Sequence, residues 1–130
     1  MALQVCVITP DQVFLNQEAE EVILPTNTGL MGVLTNHAPL ITALEIGVML
    51  IRVKKDWKPF ALMGGFALVK QNQITVLVNE AESEATIDRA EAEQSFTTTK
   101  QKFEEATDQK QKVEANFAFK RARARFQVVK

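Results

Sequence analysis

His37 is the single histidine of this chain and Cys6 its single cysteine, so any acid–base or nucleophilic chemistry would have to gather around them. A histidine base needs a nucleophile whose proton it takes and a third group that orients it. Ser83 and Ser95 lie in polar, helical sequence without the glycine elbow that presents a serine nucleophile. A metal site would need further ligands at matched spacing, and His37 has none; it reads as a turn residue before Ala38-Pro39. Cys6 sits in an apolar run and reads as a small hydrophobe, and a lone thiol closes no internal disulfide. Gly29-Leu30-Met31-Gly32 lacks the Lys-Ser/Thr of a phosphate-cradling loop, and no helix signal follows it. Met63-Gly64-Gly65-Phe66 fits a bulge or a close backbone approach inside sheet. What remains is cationic: Lys120, Arg121, Arg123 and Arg125 fall within six positions. Such a cluster reads as a nucleic-acid patch, a solvated helix end or a docking surface for acidic protein. No catalytic constellation is present in the sequence, and no cofactor is expected.

The charge balance bears on those readings. The 130 residues carry 15 basic and 16 acidic side chains, a formal net charge of -1. A general nucleic-acid binder carries a basic excess, so nucleic acid is not the expected partner. With 46% hydrophobic residues the chain can fill a core. No run approaches the ~20 apolar residues of a membrane span. Met1-Ala2-Leu3-Gln4-Val5 has no basic region ahead of an apolar run, so no signal peptide is expected. Membrane association is expected only through a partner, with no direct insertion.

The elements that position these groups fall into two unlike parts. Every glycine and proline lies before residue 66, so the first part turns often and the last hardly at all. Strands are expected over residues 3–8, 12–16, 21–24, 30–34, 40–44, 48–53, 60–63, 66–70 and 74–78, with Gln71-Asn72-Gln73 closing a hairpin. So many short strands bury their apolar faces best as two packed sheets. From Ala81 the period changes, and Ser83, Glu84 and Ala85 lead into Thr86-Ile87-Asp88. Thr86 or Asp88 is placed to cap a helix, and Ala92, Phe96, Thr99, Phe103 and Ala106 recur along one helical face. Asp108 is placed to cap a second helix, with Val113, Phe117, Ala124 and Val128 on one line and Phe119, Ala122, Phe126 and Val129 on another. A face that wide needs more than one neighbour. The expected fold class is α+β: an N-terminal antiparallel β-sandwich over residues 1–84, then a C-terminal antiparallel two-helix hairpin over 85–130. Glu80, Glu82, Glu84, Asp88, Glu91 and Glu93 make the start of the hairpin acidic, while Lys120, Arg121, Arg123, Arg125 and Lys130 make its end basic. An antiparallel hairpin sets these ends side by side. Exposed ion pairs contribute only ~0–1 kcal/mol each, so the hairpin is expected to open readily.

Several of these stretches together resemble the epsilon subunit of F-type ATP synthases of the chloroplast and cyanobacterial type. They are Gly29-Leu30-Met31-Gly32-Val33-Leu34-Thr35-Asn36-His37-Ala38-Pro39-Leu40, Gly64-Gly65-Phe66 with Ile74-Thr75-Val76-Leu77, Ala85-Thr86-Ile87-Asp88, and Val113 through Arg123. The resemblance implies a non-catalytic rotor-stalk subunit. Its implied partners are the gamma subunit, the polar loops of the membrane c-ring and, through the C-terminal helices, the alpha and beta subunits of the catalytic head. It implies coupling of ring rotation to ATP synthesis, and a hairpin that extends to block ATP hydrolysis. It places Gly29, Leu30, Met31, Gly32 and His37 at the ring-facing end, and Lys120, Arg121, Arg123 and Arg125 as the inhibitory basic residues. The implied location is peripheral, on the stromal or cytoplasmic side of the thylakoid membrane. A static stalk adaptor without an inhibitory role is the alternative. Some bacterial relatives bind ATP through Ile-Asp-x-x-Arg-Ala; here Ile87-Asp88-Arg89-Ala90-Glu91-Ala92 puts Glu91 at the arginine position, so weak or no ATP binding is expected. Leu30 also stands where many bacterial relatives carry an acid.

Overall fold

The structure, a computed structural model, describes residues 2–130. Eight strands precede two helices: β1 (Leu3–Ile8), β2 (Val13–Ala19), β3 (Glu21–Thr26), β4 (Gly29–Val33), β5 (Leu40–Val53), β6 (Asp56–Lys70), β7 (Gln73–Val78), β8 (Ala81–Ser83), α1 (Arg89–Glu105) and α2 (Gln109–Val129). Hydrogen bonding runs through the order β2-β1-β7-β6-β5-β3-β4, with β8 also on β6.

Two strands organise everything else. The sequence predicts separate strands at 40–44 and 48–53, and at 60–63 and 66–70. They join into β5 and β6, 14 and 15 residues long and paired in one register from Leu40↔Val69 to Val53↔Asp56. The punctuation that suggested breaks marks a bend instead: pairing skips only Glu45 opposite Gly64. Gly64 (φ 82°) and Gly65 (φ 149°) take backbone conformations that side-chain-bearing residues rarely adopt. A Cβ on Gly65 would lie 2.0 Å from the carbonyl oxygen of Leu77, so this close approach admits glycine alone.

The bend divides the sheet into two layers. The first half of β5 and the second half of β6 pair on toward β7, β1 and β2; the other halves pair toward β3, β4 and β8. Between the layers lies one core containing Leu3, Val5, Val7, Val22, Leu24, Met49, Ile51, Leu62, Val69, Ile74 and Val76. Phe14 of β2 meets Phe60 of β6 edge-on across it, centroids 6.1 Å apart. The sandwich is not wholly antiparallel as predicted, because β1 and β7 pair in parallel. Five strands intervene between them in sequence, so no tight hairpin dictates their direction. The predicted end of the third strand at Leu24 is extended through Pro25 to Thr26. Pro25 lacks an N–H, and the ladder to β5 shifts register between Ile23 and Thr26. β8, missed in the sequence, is only three residues long and too polar to carry a strand signature.

Burial along β6 records what covers each half. Phe60 through Met63 are buried on both faces, whereas Phe66 through Lys70 alternate between exposed and buried. The first stretch has core on one side and helix on the other: Ala61 and Met63 pack with Ile87, Ala92, Ala124 and Val128. The second stretch has core on one side and none of the described residues covering the other.

Candidate functional site

Local chemistry starts and stops the two helices. Asp88 caps α1, its carboxylate accepting from the Glu91 N–H at 2.9 Å, and Asp108 caps α2 by accepting from the Gln111 N–H at 2.9 Å. Of the two predicted caps for α1, Thr86 serves elsewhere: its hydroxyl accepts from the Ser83 N–H and donates to the Ser83 carbonyl in the preceding turn. The helices fold back antiparallel and meet through aromatic rings. Phe96 stacks on Phe119 (5.6 Å between centroids) and on Phe126 (5.3 Å), and Phe103 stacks on Phe119 (5.8 Å). The first apolar line of α2 divides along its length: Ala124 and Val128 reach the sheet, while Val113 and Phe117 stay exposed.

The four predicted basic residues sit on the half of α2 that lies over the sandwich, and they divide into two pairs. Arg121 and Arg125, one helical turn apart, face acids. Arg121 Nη2 donates to Glu80 Oε2 at 2.6 Å; Arg125 Nε donates to Glu82 Oε1 at 2.9 Å, and its Nη1 donates to both oxygens of Glu91 at 3.2 Å. Arg125 is thus clamped between the short strand β8 and the first turn of α1. Its side chain is 18% exposed and that of Glu82 20%, whereas the Arg121 and Glu80 side chains are 44% and 54% exposed. Burial by itself lowers the pKa of the Arg125 guanidinium; hydrogen bonds and charge from Glu91 and Glu82 outweigh it and hold the group above its ordinary range. Arg123 points elsewhere, over the ring of Phe119 at 5.3 Å. Lys120 makes no ion pair among the described residues and lines a cleft of about 350 Å³ shared by Ile46, Met63, Gly64 and Phe117. Glu84, Asp88, Glu93 and Lys130, counted with the two charged ends, join no ion pair among the described residues.

The expected ring-facing residues form no single loop. Gly29 to Gly32 run in the edge strand β4, opposite β3 from Thr26↔Gly29 to Ile23↔Gly32. The Thr26 hydroxyl donates to the Gly29 carbonyl at 2.6 Å and tightens the connecting turn. Leu30 is 74% exposed, while Met31 packs on the core. His37 lies beyond the far end of β4, its Nδ1 2.7 Å from the Ala38 carbonyl oxygen. The adjoining Asn36 N–H donates to the Asn72 side chain at 2.6 Å, anchoring this turn to the β6–β7 turn.

Two features of the surface were missed. Glu80, Glu82 and Glu91 were legible as an acidic stretch but not as the specific partners of two arginines 34 to 43 positions away. The other is a strip of Ile41, Phe66, Leu68 and Leu77 on the bare outer face of the first layer. Register sets them side by side: Ile41 opposite Leu68, and Phe66 opposite Leu77. The signal was present as large apolar residues out of phase with the buried ones. Among the described residues no cluster of side chains could hold a metal ion, and no helix is long and apolar enough to cross a membrane.

Comparison with known proteins agrees with this architecture. Residues 2–84 match the family model described as the ATP synthase delta/epsilon chain β-sandwich domain, and residues 85–130 match its long α-helix domain. A protein of Oltmannsiellopsis viridis, "ATP synthase epsilon chain, chloroplastic", is 74% identical over 129 residues, covering 99% of this chain and 98% of the relative. Among solved structures, a chain of the Euglena gracilis mitochondrial ATP synthase assembly of OSCP, F1 and c-ring superposes with TM-score 0.82 at 19% identity, covering 95% of this chain and 78% of that one. A chain of the Tetrahymena thermophila mitochondrial ATP synthase central stalk and c-ring gives TM-score 0.69 at 18% identity, covering 100% and 98%. At such identities these two show the fold alone.

Proposed function

The chain belongs to the ATP synthase delta/epsilon family, as an F-type epsilon chain of plastid type, and from that footing we propose that it couples and brakes a rotary motor rather than catalysing a reaction. Its sandwich is the fixed fitting of the central stalk and its hairpin the moving part. The working location is the stromal face of the thylakoid membrane, reached through the complex.

The observation that carries this reading is the contrast between the two outer faces of the sandwich. One face is covered by the chain's own hairpin, through side chains that can also bind elsewhere. The other bears Ile41, Phe66, Leu68 and Leu77 uncovered, and exposed apolar side chains gathered in this way fit a protein interface. The strip is suited to the gamma subunit. The exposed start of β4, with Leu30 outward, is suited to the c-ring, where an apolar side chain would replace a polar contact. Arg121 and Arg125, with Arg123 and Lys120, are the groups that would meet acidic segments of the alpha and beta subunits once the hairpin extends. Glu91 engages Arg125 directly, so that arginine is not free for a phosphate, consistent with weak or no ATP binding.

A static hairpin is the competing reading, favoured by the buried contacts of Ala124 and Val128 with Ala61 and Met63. Removing residues 86–130 and measuring ATP hydrolysis by the reassembled head complex separates the two. The proposed brake predicts a rise in hydrolysis with the sandwich still bound to the stalk; an unchanged rate would leave the static adaptor.

A further inference from the structure

In the docked hairpin, two of the four basic side chains are occupied by acids of the same chain, and those acids come from three separate places. Glu80 lies between β7 and β8, Glu82 within β8, and Glu91 in the first turn of α1. Arg121 and Arg125 are spaced so that one face of α2 presents both guanidiniums to this set. We propose that Glu80, Glu82 and Glu91 act as an internal decoy: an acidic patch that competes with an acidic partner surface for Arg121 and Arg125, and so sets how often the hairpin leaves the sandwich. The inference rests on the reading of these arginines as inhibitory groups.

Three features support the decoy over an incidental surface pairing. Arg125 donates from two nitrogens to two carboxylates on different elements, so lifting the hairpin off the sandwich breaks the bond to Glu82 of β8, and parting α2 from α1 breaks those to Glu91. The pair with Glu82 is sheltered from solvent, which preserves its strength where an open pair is screened. The fully buried side chains that the two helices bring to the apolar contact beneath are small, Ala92, Ala124 and Val128, set against Ala61, Met63 and Ile87, and they leave the charges a share in deciding whether the helix stays. Arg123 and Lys120 form no ion pair among the described residues, so docking does not occupy their charges.

A decoy has an unusual consequence. Neutralising the acids should strengthen inhibition, because the arginines are released with their charge intact. Neutralising Arg125 should release the hairpin too, yet weaken inhibition, because the charge that seeks the partner is gone. The full chain carrying Cys6→Ser, Lys58→Cys and Lys130→Cys takes spin labels on sandwich and hairpin, away from the latch. With the acids intact we expect one short label separation at low salt, and a longer one appearing as salt rises and the Debye length shrinks from ~10 Å at 0.1 M toward ~3 Å at 1 M. Glu82→Gln with Glu91→Gln should shift the ratio of docked to undocked chains roughly tenfold at low salt, and lower ATP hydrolysis by the reassembled complex. Arg125→Gln should lengthen the separation without lowering hydrolysis. An unchanged label distribution in the double glutamine variant at every salt would overturn the proposal, as would equal inhibition by the glutamine variant and Arg125→Gln. If the separation lengthens and hydrolysis does not respond to either variant, the latch stands and the inhibitory reading fails.

Discussion

The sandwich and the hairpin of this chain both bury apolar side chains, but they do so with different materials. Between the sheet layers, Leu3, Leu24, Met49, Ile51, Leu62 and Ile74 are fully buried, and they come from strands distant in sequence. Between hairpin and sheet, Met63 and Ile87 are the large members of the buried set and the rest are alanines and a valine, with charge pairs around them. A core of large side chains drawn from many strands can be opened only as a whole. An interface to which the two helices bring only small fully buried side chains, Ala92, Ala124 and Val128, can separate while both partners keep their structure. The division of labour proposed for the two parts therefore has a physical basis in side-chain size and in the number of elements that share each core.

The strongest way to break the comparison is to weaken the sandwich and ask whether the hairpin notices. Leu62→Ala empties space at the centre of the core and should cost about 2–5 kcal/mol. Thermal unfolding should show a much lower midpoint, with both parts lost together, since α2 rests on the same strand β6. A hairpin that stayed docked while the sheet unfolded would show that the helices are stable without it, and the comparison would fail.

Phe96→Ala acts on the hairpin alone. Phe96 stacks between Phe119 and Phe126, and aromatic pairs contribute ~0.5–1.5 kcal/mol each beyond their buried area. The expected loss is about 1–3 kcal/mol, confined to pairing of α1 with α2. Amide hydrogen exchange should quicken through residues 89–129 and remain unaltered in β1, β6 and β7. Quickened exchange in those strands would mean that the two parts are one cooperative unit.

How far the sequence disclosed these features depends on how local their causes are. The caps Asp88 and Asp108 act within three residues, and both were legible. So were β1 and β7, each a compact apolar run between turn residues. The joining of four predicted strands into β5 and β6 was not legible. Gly64-Gly65 has the same composition whether it ends a strand or bends one, and only the approach of the Leu77 carbonyl decides. The basic cluster could be read, and so could the sign of its counterpart. Which arginine meets which acid depends on how α2 lies along the sheet, a global outcome. Ile41 and Leu68 could not be recognised as surface neighbours before the register Leu40↔Val69 was known.

Asp88→Ala should have a smaller effect than Phe96→Ala. Loss of the side-chain bond to the Glu91 N–H typically costs ~1 kcal/mol of helix stability. Because Glu91 holds Arg125 from this first turn, fraying here should also loosen the latch. The expected readout is faster amide exchange over residues 89–93 and a modest rise in the undocked population. A frayed first turn with docking unaffected would assign the hold on α2 to Glu82 alone.

The smallest effect belongs to Arg121→Gln, and it sharpens the comparison by testing exposed charge against sheltered charge on one helix face. Arg121 meets a single acid at 2.6 Å, a short contact, but both side chains are nearly half exposed. Water and salt screen such a pair, and ordering two long side chains offsets part of the gain, so removal should cost no more than ~1 kcal/mol. Arg125, with two carboxylates and less than half the exposure of Arg121, should cost more when changed in the same way. Chemical unfolding of both variants at low and high salt separates the contributions. The Arg121 effect should vanish by about 0.5 M salt, while part of the Arg125 effect persists because solvent reaches Arg125 and Glu82 less freely. Equal losses from the two substitutions at every salt would mean that burial does not distinguish the pairs, and that hairpin docking depends on the total charge of α2 rather than on where each arginine sits.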